Sequence, residues 1–264
     1  ILFLVKFLTR MKLTFLGTGT SQGVPVIACE CAICLSKDSK DNRLRCSVLI
    51  ESDTTSVVID TGPDFRQQML NNKVKKVDAL VYTHEHKDHV AGMDDVRAFN
   101  FKFKTDMPIY ASEQVQVALK NEFHYVFGAN RYPGTPKVYF NTIDSESQFT
   151  IGDIPFQSIE VLHYKMKVFA YRIKDLVYIT DANFISDEQF KKVKGCKILV
   201  INALRKEKHL SHYTLEEALE VGKSVGAERI YLTHISHLMG KHKEVSNDLP
   251  KHVQIAYDGL QIEF

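Results

Sequence analysis

The stretch Ala79-Leu80-Val81-Tyr82-Thr83-His84-Glu85-His86-Lys87-Asp88-His89 constrains this chain more than any other. An apolar run with strand character ends at Thr83. Side chains in extended backbone alternate with a period of two, so His84 and His86 point the same way just past the strand end. They can grip one ion together. Asp88 and His89 fall at the turn into a helical pattern, where the chain changes direction and can aim a carboxylate and an imidazole at a second ion close by. Four metal-competent side chains in six positions, H-x-H-x-D-H, are poorly explained as solvated loop residues. The fold must therefore present a strand tip to a metal centre.

Composition agrees with metal chemistry. The 264 residues include 11 His and 5 Cys, and three of the cysteines, Cys29, Cys31 and Cys34, lie within six positions. With no secretory signal pattern, that cluster reads as metal binding in a reducing, cytoplasmic compartment before it reads as disulfides. The net charge of +2 supplies no overall basic field for non-specific nucleic-acid binding. Residues 1–10 are treated as an N-terminal extension, because Met11 is a natural start and opens a good strand. Their apolar run is far shorter than the roughly 20 residues that span a bilayer, so no membrane partner is expected.

From residue 11 to 264 short β-rich runs alternate with helical patterns, and no linker or low-complexity tract divides them. Strands are predicted at 12–16, 46–51, 56–59, 79–83, 108–111, 154–162, 168–173, 176–180, 197–201, 229–233 and 261–264. Helices are predicted at 63–72, 89–99, 113–126, 187–194 and 214–225, the last opening on the Thr214/Glu217 capping-box spacing. Strands interleaved with helices predict an α/β layered domain.

The H-x-H-x-D-H motif resembles that of the metallo-β-lactamase superfamily, and further residues match that superfamily's ligand set in order. Asp60 ends the strand 57–59 and resembles the carboxylate that supports the metal loop. His163, Asp181 and His234 follow the strands 154–162, 176–180 and 229–233, at strand tips where the loops of an α/β sheet converge. The resemblance implies a single-domain αββα four-layer sandwich. It implies that His84, His86 and His163 hold one ion, that Asp88, His89 and His234 hold the other, and that Asp181 bridges them. Two divalent ions about 3.5–4 Å apart bind a bridging water, lower its pKa and clamp the oxygens of a displacement at phosphorus or carbonyl. Imidazoles mixed with carboxylates suit Zn, Mn or Fe.

Cys29, Cys31 and Cys34 are spaced to fold around one ion, and a tetrahedral structural zinc needs a fourth ligand. His237, three residues past His234, is the candidate, since the two histidines can face different ions from one turn. Gly17-Thr18-Gly19-Thr20-Ser21-Gln22-Gly23-Val24-Pro25, the C-x-C-x-x-C run, Asp60-Thr61-Gly62-Pro63-Asp64-Phe65-Arg66 and the T-H-x-x-H ending resemble the phosphoribosyl 1,2-cyclic phosphate phosphodiesterase branch. That branch carries such a cysteine site. The remaining cysteines, Cys46 and Cys196, sit in apolar strand settings and are read as buried small hydrophobes.

In that branch an H-x-x-L element supplies the proposed general acid, and His212 aligns with it here; His209 reads as surface. The glycine-rich 17–23 segment offers backbone N–H groups to a phosphate. Arg66 and Arg97 are as well explained by salt bridges, and Asp94 and Asp95 by a helix start. Gly19-Thr20-Ser21-Gln22-Gly23 matches G-x-S-x-G, but it leads towards the cysteine loop rather than into a helix, which excludes a serine nucleophile elbow. No Gly-Lys-Ser/Thr follows, so it is not a P-loop.

The function expected is a binuclear metal-dependent phosphodiesterase, Asp88 and His212 among its catalytic residues, acting on a small cyclic or nucleotide-like phosphodiester. The alternative is a nuclease of the same superfamily, similar to tRNA 3′-processing or DNA exonuclease enzymes. A near-neutral chain without a basic insertion favours the small substrate. A non-catalytic metal-stabilised scaffold is disfavoured by the complete ligand set. A homodimer is the default for a soluble enzyme.

Overall fold

A computed structural model of the chain describes residues 10–129 and 132–264. The proposed extension therefore lies outside the described residues apart from Arg10. The strands are β1 (Lys12–Gly17), β2 (Ser47–Glu51), β3 (Ser56–Ile59), β4 (Ala79–Val81), β5 (Met107–Ala111), β6 (Val138–Thr142), β7 (Gln148–Ile151), β8 (Ile154–His163), β9 (Met166–Ile173), β10 (Leu176–Ile179), β11 (Ile198–Asn202), β12 (Arg229–Thr233), β13 (Val253–Ile255) and β14 (Gln261–Glu263). They form two seven-stranded mixed sheets, ordered β14-β1-β2-β3-β4-β5-β6 and β13-β12-β11-β10-β9-β8-β7.

Side-chain alternation explains why the sheets stack and why both outer faces carry helices. In β3, Val57 and Ile59 face the other sheet, as do Leu176 and Tyr178 of β10 and Ile198 and Val200 of β11. The intervening Val177, Ile179, Leu199 and Ile201 point outward, under the helices Asp187–Val193, Leu215–Val225 and His242–Asp248. On the first sheet Val58 and Leu80 likewise point outward, under the helices Phe65–Asn71 and Glu113–Glu122. Strands buried on both faces read as unbroken apolar runs, as these do. The layer order is the αββα sandwich that the resemblance implied, in one domain.

The elements that hold chemistry match the sequence reading closely, and the Thr214/Glu217 capping box is present. The helix predicted over 89–99 is instead broken into Lys87–Val90, a 3₁₀ turn Met93–Val96 and a helix Arg97–Phe103. Backbone packs on backbone at this break. Thr61 N donates to His89 O, Gly92 N donates to Thr61 O, and a Cβ on Gly92 would lie 2.2 Å from Gly62 O.

Candidate metal centre

The parallel strands β3 and β4 of one sheet, and β8, β10 and β12 of the other, end at a common edge of the sandwich. The turns that follow them carry the predicted ligands. Three of these turns begin in the left-handed region: Asp60 at φ 63°, Asp181 at φ 52° and His234 at φ 56°. Asp and His tolerate that conformation better than most residues. Three such positions around one cleft store strain that the surrounding packing must hold.

Asp60 organises the first group. Fully buried, it accepts from Thr83 N and Thr83 Oγ1, each at 2.8 Å, and from His89 Nδ1 at 2.7 Å. Because the Thr83 hydroxyl hydrogen goes to Asp60, its lone pair accepts from His84 Nδ1 at 2.9 Å. In the facing sheet His163 Nδ1 donates to Ser211 O at 2.8 Å. His84, His89 and His163 thus each have Nδ1 tied to an acceptor, which leaves Nε2 as the nitrogen that can ligate. This is how metal-ligating imidazoles are held.

Asp181 lies at the middle. Its Oδ1 is 2.9 Å from His234 Nδ1 and 3.4 Å from His89 Nε2, while its Oδ2 is 3.3 Å from His212 Nε2 and 3.7 Å from His84 Nε2. Three donor groups, each compact enough for one ion, share it: Asp88, His89 and His234; His84 and His86; His163 and His212. The predicted ligands therefore come together. His163 falls in the group with His212, while its ring also lies 5.2 Å from that of His86.

The donor set fits divalent ions by an independent sign. His89 Nε2 is buried without a hydrogen-bond partner, an unfavourable state for a ring nitrogen unless something else occupies its lone pair. Burial opposes ionisation of Asp181, yet the neighbouring His234 and His89 outweigh it and hold the carboxyl well below its usual range. Burial also disfavours charge on His234, but the Asp181 carboxylate pushes it up to about 10. Metal binding at these groups would displace the imidazole protons.

Cys29, Cys31 and Cys34 form a second cluster, with Sγ atoms 3.3, 3.5 and 3.5 Å from His237 Nδ1. The Cys31 thiol is drawn down to about 6, chiefly because it accepts from the Cys34 N–H, which favours the thiolate that zinc requires. Three thiols around one imidazole nitrogen make a four-donor set that could hold one metal ion.

Other readings change. The N–H groups of Gly19, Thr20 and Gly23 donate to Leu44 O, Ile235 O and Thr20 O, so they are not available to a substrate phosphate. Arg97 pairs with Asp94 at 3.3 Å. Cys46 is buried as expected, but its sulfur sits among the hydroxyls of Tyr178, Thr233 and Thr180 rather than in an apolar pocket. Asn202 escaped sequence reading; its amide exchanges hydrogen bonds with both backbone groups of Ala182 and fixes the turn that carries Asp181. A single polar residue closing the apolar run 198–201 was its signal. Asn183 also escaped, and it ties Tyr164 N to Leu210 O across the mouth of the site.

Residues 55–235 match the family model described as a Beta-lactamase superfamily domain. The chain belongs to that metallo-β-lactamase superfamily. Within it the chain falls in the PhnP-like branch: a solved structure described as a new diphosphatase from the PhnP family shares 39% identity, with a TM-score of 0.90 over 97% of both chains. Human tRNase Z, short form, superposes with a TM-score of 0.68 at 18% identity over 95% of this chain and 98% of that one, a likeness of fold. An octanoyltransferase of Porphyromonas gingivalis is 36% identical over 95% of this chain and 51% of its own length. The exodeoxyribonuclease WalJ of Streptococcus pneumoniae is 25% identical over 60% of this chain and 57% of its own. The chain thus spans about half the length of the curated relatives it matches. Among the described residues no helix is long and apolar enough to cross a membrane.

Proposed function

We propose that the chain is a two-metal phosphodiesterase acting on a small cyclic or nucleotide-like phosphodiester. The observation that carries the reading is the division of Asp181, whose Oδ1 faces His89 and His234 and whose Oδ2 faces His84 and His212. A carboxylate so divided suits a bridge between two ions, one held by His84, His86 and His163 and the other by Asp88, His89 and His234. When bound, Zn or Mn would supply Lewis acidity and a water activated for in-line attack at phosphorus.

The chain's own residues do the rest. Asp60, Thr83 and the Ser211 carbonyl fix the imidazole tautomers, so the ligands are set before substrate arrives. His212 Nε2 carries the proton for the departing oxygen, while Ser211 Oγ, 3.1 Å from its Nδ1, orients the ring. The diphosphatase relative supports phosphorus chemistry and widens the class to disubstituted diphosphates, where the attacked phosphorus bears one ester oxygen and one anhydride oxygen in place of a diester's two ester oxygens. The exodeoxyribonuclease relative supports the nuclease alternative.

The test is a panel of cyclic ribose phosphates, cyclic nucleotides, disubstituted diphosphates and short oligonucleotides, with Mn or Zn supplied. Turnover of the small substrates well above the oligonucleotides is expected. Turnover confined to oligonucleotides would assign a nuclease, and no turnover of any phosphodiester would overturn the reading.

A further inference from the structure

A cleft of about 390 Å³ opens beside His86 and His163, lined by Tyr164, Lys165, Met166, Leu210 and Ser211. None of these lining residues other than the two histidines belongs to the ligand set. Its volume lies in the range of small-molecule sites. Tyr164 and Lys165 form the two-residue turn of the β8–β9 hairpin, in which His163 pairs with Met166. Tyr164 stands there at φ 58°, where glycine or asparagine is the favoured residue and a bulky aromatic is strained. Its side chain gains no core packing in return: the residue is 47% exposed, and across the cleft Leu210 is 66% exposed. The flexible Lys165 ammonium lies over the ring, 5.2 Å from its centroid.

The two lips are nevertheless fixed. Asn183 Oδ1 accepts from Tyr164 N at 2.7 Å, and Asn183 Nδ2 donates to Leu210 O at 3.1 Å. His163 Nδ1 donates to Ser211 O at 2.8 Å, so a predicted metal ligand is tied to the same loop. The backbone that carries an exposed aromatic ring is therefore held at a set position beside the site where phosphorus would be attacked.

We propose that this cleft is the subsite for a nucleobase carried by the substrate, stacked on the Tyr164 ring with Leu210 opposite. The inference rests on the phosphodiesterase reading and deepens it, naming the substrate class as nucleoside phosphodiesters or diphosphates. A flat π face opposite an aliphatic side chain suits a planar heterocycle, and stacking is tolerant of which base is bound. The Lys165 ammonium, displaced from the ring, is free to meet a substrate oxygen.

Calorimetric titration of the Zn-loaded protein with AMP and with ribose 5-phosphate isolates the base, since the two probes share sugar and phosphate. AMP should bind about 10-fold tighter or more. Tyr164→Ala and Tyr164→Leu should both bring the two affinities to within about twofold of each other, while Tyr164→Phe should keep the preference. Leucine keeps an apolar side chain but removes the π face, and Tyr164→Phe controls for the lost hydroxyl. Equal affinities in the parent protein, or a preference that survives in Tyr164→Leu, would overturn the proposal. Hydrolysis of bis(p-nitrophenyl) phosphate is followed on the same samples. A base preference without turnover would leave the subsite standing and remove the phosphodiesterase reading; turnover without a base preference would do the reverse.

Discussion

The carboxylate of Asp60 and the imidazole of His89 form a fully buried pair, with Oδ2 and Nδ1 2.7 Å apart, and the opposite ring nitrogen of His89 faces Asp88 and Asp181. Asp60 touches no substrate in this arrangement; it sets which nitrogen of His89 carries the hydrogen.

Asp60→Asn tests that role. Asparagine tolerates the left-handed backbone of residue 60, and its amide oxygen can still accept from Thr83. Its NH₂ would face His89 Nδ1 and force the hydrogen onto Nε2. Affinity for the active-site metals, measured by competition with a chelator, should fall about 10–100-fold. Unchanged affinity would show that Asp60 does not set the tautomer.

Gly62→Ala should disturb the metal loop from a distance. A Cβ at residue 62 would lie 2.1 Å from the carbonyl oxygen of Asp88, and both partners are backbone, so neither can swing aside. A loss of about 2 kcal/mol or more is expected in urea unfolding, with weaker metal retention. A variant as stable as the parent would mean that the close packing of residues 60–62 on 88–92 is not needed.

His212→Ala should slow hydrolysis of a substrate with a poor alkoxide leaving group by about 100-fold or more, and p-nitrophenyl esters far less, because p-nitrophenolate departs without a proton. An equal loss on both, accompanied by a lost metal equivalent, would make His212 a ligand rather than the acid.

Cys31→Ser should remove one zinc per chain and lower Tm by about 5–10 °C while active-site metals stay bound. The cluster ties the 29–34 loop to the turn at His237, and that turn follows His234 by three residues. A metal count equal to the parent's would reject a zinc at this site.

The legibility of the chain followed burial. Strands buried on both faces, such as β3, β10 and β11, were readable as apolar runs, and their tips located Asp60, Asp181 and the turn before His212. The three missed strands, β6, β7 and β13, all lie at sheet edges, where half-exposed segments such as Val138–Thr142 alternate too weakly to stand out from loop. The helix predicted over 89–99 failed at Gly92, where a tertiary backbone contact overrides the local pattern. Within the site, residue type and order pointed to the ligands. Asn183, Asn202 and the Ser211 carbonyl were hidden because their task is defined by chain segments brought together in space. In the glycine-rich 17–23 segment, likewise, the N–H groups of Gly19 and Thr20 are bonded to carbonyls of Leu44 and Ile235, distant in sequence.

The most direct test of the two-metal account is a titration of the metal-depleted active site with Mn, the cysteine site kept zinc-filled, while hydrolysis of bis(p-nitrophenyl) phosphate is followed. Activity should rise steeply only as the second equivalent enters and reach its plateau at two per chain, and Asp181→Asn should abolish that second step. A plateau at one equivalent, or full activity in Asp181→Asn, would contradict a bridged pair of ions as the catalytic centre.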